Sequence, residues 1–246
     1  WNQSFLVLHK KDPTSIARTL QILRDFNIQH YKLTSKYTSK IKREFVNKWL
    51  QKLPLGSWAV YPDGDEFFEY PCNLSAYMQS GISRFWGRMA DRLGPDLTFP
   101  EVQEEPEVAK QYPFECPELR RKLTNGIGCP DKFMLFKVHS ASKRPVQMHS
   151  SHSFEGDCKG CGKFADNFLG YFAHYFFTGK ATIQKMLYKI NIHVQKTSRK
   201  AYNALKHLLV IQPDGSSSWT AEGKTRASAL CRLAKAPLIT SEAWHQ

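Results

Sequence analysis

Short apolar runs alternate with amphipathic stretches over the first sixty residues of the chain. The alternation predicts three strands, at 5–9, 28–33 and 58–61, and two helices, at 13–26 and 39–53. Asp12 and Pro13 support the start of the first helix, since they supply an N-cap and a proline at the first helical position. This βαβαβ order predicts an α/β protein with a mostly parallel sheet flanked by helices.

Acidic residues follow two of these predicted strands. Asp12 comes after the first strand, and the stretch WAVYPDGDEFFEYP (58–71) carries Asp63, Gly64, Asp65 and Glu66 after the third. In open parallel sheets, ligands bind outside the carboxyl ends of the strands. Three carboxylates in four positions suit a hard divalent ion that grips a phosphate-bearing ligand. A solvated acidic turn is the alternative.

The later part of the chain adds further elements and further candidate ligands. A short helix is predicted at 73–80, strands at 82–89 and 132–138, and either a buried strand or a helix start at 167–177. Asp91 follows one of these strands, which places another carboxylate at a predicted strand end. His152, in a polar loop, and His174, in an aromatic run, are candidates for a third metal ligand; the alternative for His174 is a core residue. Residues 95–118 carry five prolines and seven acids and predict a mobile surface loop.

Composition is that of a globular protein with an uneven charge. A chain of 246 residues with 41% hydrophobic residues can bury a core, and no apolar run approaches the length of a membrane span. The net charge is +13. Between Asp166 and Asp214 there is no acidic residue, while seven basic residues accumulate: Lys180, Lys185, Lys189, Lys196, Arg199, Lys200 and Lys206. This basic helical flank is either a solvated face or a surface for a phosphate-rich ligand, an anionic membrane or nucleic acid.

The chain is expected to contain one main domain and an extension. Residues 1–194 are assigned to the α/β domain, and residues 195–246 to a basic, helical C-terminal segment packed on or beside it. Because the sequence begins at Trp1 and enters a strand directly, the chain is expected to be an excised or processed segment.

One group of histidines and cysteines has a spacing that can bind zinc. His149 and His152 are followed by Cys158 and Cys161 within thirteen residues (HSSHSFEGDCKGC). Two histidines with a CxxC pair can provide four tetrahedral ligands, although the spacing is not that of the usual zinc finger. A local disulfide or free thiols are the alternatives.

Ordered blocks of the sequence resemble the family 2-like glycosyltransferases with a DxDEF motif. The blocks are WxVxxDGDEFF, RFWGRMADR, KFMLFKV, HxxH and FAHYFF, within residues 5–188. The resemblance implies a GT-A, Rossmann-like fold. It also implies that Asp63 and Asp65, with Gly64 between them, hold Mn²⁺ or Mg²⁺ against the diphosphate of a nucleotide sugar. Asp12 would contact the nucleoside, and His152 or His174 would complete the metal shell.

The activity implied is transfer of a hexosyl or deoxyhexosyl group to an acceptor hydroxyl of a glycan or glycoconjugate. Direct displacement inverts the anomeric carbon and needs a general base beside the acceptor hydroxyl. Asp91 is the expected base, and the alternative is that it pairs with Arg88 or Arg92. Asp157 or Glu115 could serve in its place.

Two other classes of protein share parts of this pattern. A metal-dependent nuclease or phosphohydrolase also uses clustered carboxylates, and a basic zinc-bearing module that binds nucleic acid would account for the charge. The glycosyltransferase interpretation expects a nucleotide sugar and a glycan acceptor as partners, an anionic membrane surface at the basic flank, and no nucleic acid. Both the cytoplasmic face of a membrane and the Golgi lumen are compatible with it.

Overall fold

The computed structural model describes residues 5–9, 13–25, 27, 30–34, 38–63, 65–70, 73–124, 131–139, 143, 145–148, 168–175, 203–214 and 216–234. The chain divides into two compact units. The first comprises Trp1–Trp58 and Lys137–Asp157, and the second comprises Ala59–Phe136 and Cys158–Gln246.

The first unit contains strand β1 (Phe5–His9), helix α1 (Pro13–Asp25), strand β2 (His30–Thr34) and helix α2 (Ser39–Leu50). β1 and β2 pair in parallel, which confirms the prediction for the first two strands. Helix α2 begins where the Thr38 hydroxyl accepts a hydrogen bond from the backbone N–H of Ile41 at 3.2 Å. The Asn47 side chain exchanges two hydrogen bonds with the backbone of Met148, which fixes the later segment of this unit against α2.

The second unit contains most of the strands. In chain order, after strand β3 (Trp58–Ala59) at the boundary, its elements are β4 (Glu66–Phe67), α3 (Leu74–Gln79), β5 (Arg84–Leu93), a 3₁₀ turn (Pro95–Leu97), α4 (Val108–Gln111), β6 (Phe114–Pro117), α5 (Leu119–Leu123), β7 (Asp131–Lys137), β8 (Phe168–His174), β9 (Leu209–Ile211), β10 (Ser217–Trp219), α6 (Ala221–Ser228) and β11 (Arg232–Leu233). Residues 203–207 are also helical.

In the described residues the main sheet has seven strands, and most of its pairs are antiparallel. Its order is β11-β6-β5-β7-β3, with β8 against β5 and β4 against β8. β5 is the longest strand and pairs antiparallel with β7 and β6. β8 alone runs parallel to β5, over Trp86–Asp91.

The prediction of a mostly parallel, Rossmann-like GT-A sheet is therefore wrong. The segment that joins two parallel strands must run back along the full length of the strand. The helices α3, α4 and α5 have only six, four and five residues. Helices of that length rise about 6 to 9 Å, whereas the ten residues of β5 extend about 33 Å. The apolar pattern located β1, β2, β3, β5 and β7 and did not determine the directions of the strands in the main sheet.

The interval 95–118 also differs from the mobile loop that was predicted. It contains α4 and β6, and Tyr112 and Cys116 in it are fully buried. The Tyr112 hydroxyl donates a hydrogen bond to the Pro100 carbonyl at 2.5 Å. Its prolines and acids therefore mark irregular backbone that is nevertheless packed into the unit.

The C-terminal segment contributes to the second unit. Its described part contains β9, β10, α6 and β11 in addition to helical residues 203–207, and β11 extends the main sheet beside β6. A disulfide joins Cys116 on β6 to Cys231, the residue just before β11. The predicted division into 1–194 and 195–246 stays a prediction, and the described part of the C-terminal segment contains strands as well as helices.

Candidate functional site

The acidic stretch forms a tight turn between β3 and β4. The backbone N–H of Glu66 donates to the Asp63 carbonyl at 3.0 Å, and the Glu66 carboxylate accepts from the backbone N–H of Asp63 at 2.8 Å. The Asp65 carbonyl accepts from the backbone N–H of Tyr175 at 2.8 Å, which fastens the turn to the end of β8. The turn therefore has a fixed position on the sheet and is not a freely solvated loop.

Strand register brings a histidine and a second carboxylate to this turn. β4 pairs with β8 so that Glu66 lies opposite His174, and β8 pairs with β5 so that Asp91 lies beside His174. His174 is only 4% exposed. The long-range pairing of three strands thus assembles a polar line of Asp91, His174 and Asp65, hereafter the histidine line.

Asp91 fixes the histidine at one ring nitrogen. His174 Nδ1 lies 2.6 Å from Asp91 Oδ1, and Asp91 Oδ2 accepts from the backbone N–H of Arg120 at 3.0 Å. A carboxylate on Nδ1 favours the tautomer in which that nitrogen carries the proton. On the opposite side of the ring, His174 Nε2 lies 3.8 Å from Asp65 Oδ2.

With the proton on Nδ1, Nε2 carries a lone pair on the side of the Asp65 carboxylate, so a cation between the two groups would interact favourably with both. At 3.8 Å, His174 Nε2 and Asp65 Oδ2 are near enough for one cation to approach both.

A buried lysine holds the other side of the turn. Lys132 on β7 is 3% exposed, and its Nζ lies 3.1 Å from Asp63 Oδ2 and contacts Glu66 Oε2. The ammonium also lies over the Tyr61 ring, 5.1 Å from its centre. Burial, followed by the nearby carboxylates of Asp63 and Glu66, raises the pKa of Tyr61, so its hydroxyl stays protonated.

Sequence reasoning missed the role of Lys132. The available signal was a lysine inside the strand pattern KFMLFKV, where a buried ammonium needs carboxylate partners. The sequence could not identify those partners, because Lys132 and Glu66 are 66 residues apart.

Asp91 occupies a different environment from the one expected of a general base. β5 continues to Leu93, so Asp91 lies inside the strand and is fully buried. Both of its oxygens accept hydrogen bonds within the protein, and neither is placed to reach an acceptor hydroxyl in this arrangement. Arg88 and Arg92, its alternative partners, pair instead with Asp131 at 2.7 Å and with Glu69 at 3.7 Å.

Several other predicted residues fall outside the described part of the chain. These are Asp12, Gly64 and His152, the zinc-type group His149, Cys158 and Cys161, the alternative base Asp157, and all of the basic flank except Lys206. The roles suggested for them stay predictions. Glu115, the remaining alternative base, forms an ion pair with Arg232 at 3.1 Å.

Comparison with known proteins assigns no family to this arrangement. No family model matches the chain, and no curated protein or solved structure matches it. Within the described ranges, no three His, Cys, Asp or Glu residues form a group that could hold a metal ion. None of the helices in those ranges has both the length and the apolar character needed to cross a bilayer.

Proposed function

We propose that the protein is a metal-dependent glycosyltransferase that moves a hexosyl or deoxyhexosyl group from a nucleotide diphosphate sugar to a glycan or glycoconjugate hydroxyl, with inversion. The observation that supports the proposal is the histidine line beside the DGDEF turn, in which His174 is fixed by Asp91 and faces Asp65. The resemblance of the sequence blocks to family 2-like glycosyltransferases supports the same activity.

Asp65 and His174 are the residues that would hold Mn²⁺ or Mg²⁺. A hard cation in a phosphate-transfer site is commonly bound by one or two protein groups, while substrate phosphates and water provide its other ligands. A pair of ligands is therefore sufficient, and a larger protein cage is not required. When bound, the cation would neutralise the charge that develops on the departing diphosphate.

The protein groups prepare the site before any substrate arrives. Asp91 acts on His174 as a positioning residue, because its carboxylate holds the Nδ1 proton and directs Nε2 toward Asp65. The backbone bonds of the turn hold Asp65 at the end of β8. This assignment replaces the general-base role that the sequence suggested for Asp91, so the proton of the acceptor hydroxyl would pass to one of the alternative bases, Asp157 or Glu115.

The disulfide bears on where this reaction takes place. Cys116 on β6 is joined to Cys231, just before β11, and disulfides persist mainly in oxidising compartments. The bond therefore favours the luminal setting over the cytoplasmic face of a membrane.

A panel of nucleotide sugars, with and without Mn²⁺, tests the proposal. A donor that binds the folded protein should raise the melting temperature only with Mn²⁺ present, and mass spectrometry should then detect transfer to an acceptor glycan. Asp65→Asn removes the charge and keeps the shape, so it should lower transfer by about 100-fold or more. Asp214→Asn, at an exposed turn, is the matched control and should leave transfer unchanged.

Two results would contradict the proposal. One is full activity of Asp65→Asn in saturating EDTA. The other is metal-dependent cleavage of phosphodiesters without any response to nucleotide sugars, which would favour a nuclease or phosphohydrolase.

A further inference from the structure

The two aspartates of the DGD motif have different partners in the second unit. Asp65 faces His174 on β8, whereas the Asp63 carboxylate contacts the Lys132 ammonium on β7. β5 pairs with both β7 and β8. One aspartate of the motif therefore faces an imidazole on β8, and the other contacts an ammonium on β7.

Lys132 is strongly held in this position. A buried ammonium is costly unless it is paired, and at 3% exposure Lys132 contacts two carboxylates, those of Asp63 and Glu66. The Glu66 side chain is itself only 1% exposed, so it cannot exchange the lysine for water without cost. The Asp63 side chain, at 22%, is the more accessible of the two.

We infer that Lys132 competes with the divalent cation for Asp63 and so limits the affinity of the site for free metal. The inference rests on the proposed function, because it concerns the same cation. An ammonium 3.1 Å from Asp63 Oδ2 repels a second cation near that oxygen. A divalent ion that takes this oxygen as a ligand must displace Lys132 from it, which leaves the ammonium paired with Glu66.

Competition between Lys132 and the metal ion for Asp63 favours binding of the cation together with its substrate. With Asp63 engaged by Lys132, the protein offers free metal chiefly the pair Asp65 and His174. A cation that arrives with a diphosphate brings phosphate ligands and needs fewer from the protein. The chain is thus arranged to bind the cation together with a nucleoside diphosphate rather than in advance of it.

Titration calorimetry with Mn²⁺ alone tests the competition in wild type, Lys132→Met and Lys132→Arg. Methionine keeps an unbranched chain and loses the charge, so its Mn²⁺ affinity should rise by about tenfold or more. Arginine keeps the charge and should bind Mn²⁺ within about threefold of wild type. If Lys132 only stabilises the fold, Lys132→Met should shift the melting temperature and leave the Mn²⁺ affinity unchanged.

The possible outcomes separate this inference from the proposed function. Wild type that binds no Mn²⁺ even when a nucleoside diphosphate is present contradicts the proposed function. Wild type that binds Mn²⁺, with equal or weaker binding by Lys132→Met, overturns the competition alone. A neutral variant that folds only when Mn²⁺ is added supports it, since the ion then replaces the missing ammonium. Failure to fold even in saturating Mn²⁺ overturns it.

Discussion

Asp91 and Leu93 lie two residues apart on β5, face the same side of the sheet and are both fully buried, but their surroundings are opposite in character. Leu93 packs in an apolar cluster, the C-terminal core, whose buried members are Leu93, Leu97, Phe99, Cys116, Leu119, Leu123, Leu205, Leu208, Leu209 and Ala227. Asp91 instead belongs to the histidine line, together with His174 and Asp65.

This difference in surroundings indicates that the C-terminal core contributes mainly to stability and the histidine line mainly to metal binding. Burial of apolar side chains stabilises the fold in proportion to the area removed from water. Buried ionised groups are weak evidence for stability, since their desolvation offsets much of the attraction between them. We therefore expect substitutions in the C-terminal core to lower stability and spare metal binding, and substitutions in the histidine line to affect metal binding directly.

The largest expected effect on stability is that of Cys231→Ser. Loss of a disulfide that closes a separation of 115 residues should lower the free energy of unfolding by about 4 kcal/mol. Urea denaturation of the oxidised proteins measures the loss, and wild type under reducing conditions should show a similar one. A change below about 1 kcal/mol would mean that the C-terminal core does not depend on this cross-link.

Leu93→Ala should have the next largest effect. Removing a fully buried leucine leaves a cavity in the C-terminal core and should cost about 3 kcal/mol. Calorimetric titration with Mn²⁺, at a temperature where the variant is folded, should give an affinity within about twofold of wild type, because the substituted side chain belongs to the other region. Much weaker Mn²⁺ binding would show that the C-terminal core and the histidine line are coupled.

Asp91→Asn should have a smaller effect on stability and a specific effect on metal binding. An amide nitrogen facing His174 Nδ1 favours the tautomer with the proton on Nε2, which then cannot bind a cation. Loss of such a carboxylate behind a ligand histidine typically weakens metal binding by about 10-fold to 100-fold. Unchanged Mn²⁺ affinity in calorimetry would mean that the carboxylate has only a structural role.

The sequence predicted the positions of several elements. The strand at 5–9 has the predicted limits, and the short helix α3 lies within the predicted 73–80, where Asn73 Oδ1 accepts from the backbone N–H of Ser75 at 2.9 Å. The choice left open for 167–177 is resolved as a strand, Phe168–His174. These features depend on neighbouring residues and on local periodicity, which a single sequence contains.

The features that were missed depend on distant partners. Whether a strand runs parallel or antiparallel is decided by its neighbours, and alternation along KFMLFKV is the same in either case. The sequence identified Asp65, His174 and Asp91 as candidates, yet the roles of Asp91 and Lys132 follow from pairing across 83 and 66 residues. Cys116 and Cys231 are likewise far apart in the sequence, and their spacing gave no indication of a bond.

Pulsed electron paramagnetic resonance of bound Mn²⁺ can show whether His174 binds the cation, because it detects nitrogen coordinated to the metal. We expect a nitrogen signal in wild type that is lost in folded His174→Gln. The signal should be retained in the control His207→Gln, because His207 is exposed. Bound Mn²⁺ without a nitrogen signal, or a signal that persists in His174→Gln, would contradict the claim that His174 and Asp65 hold the cation.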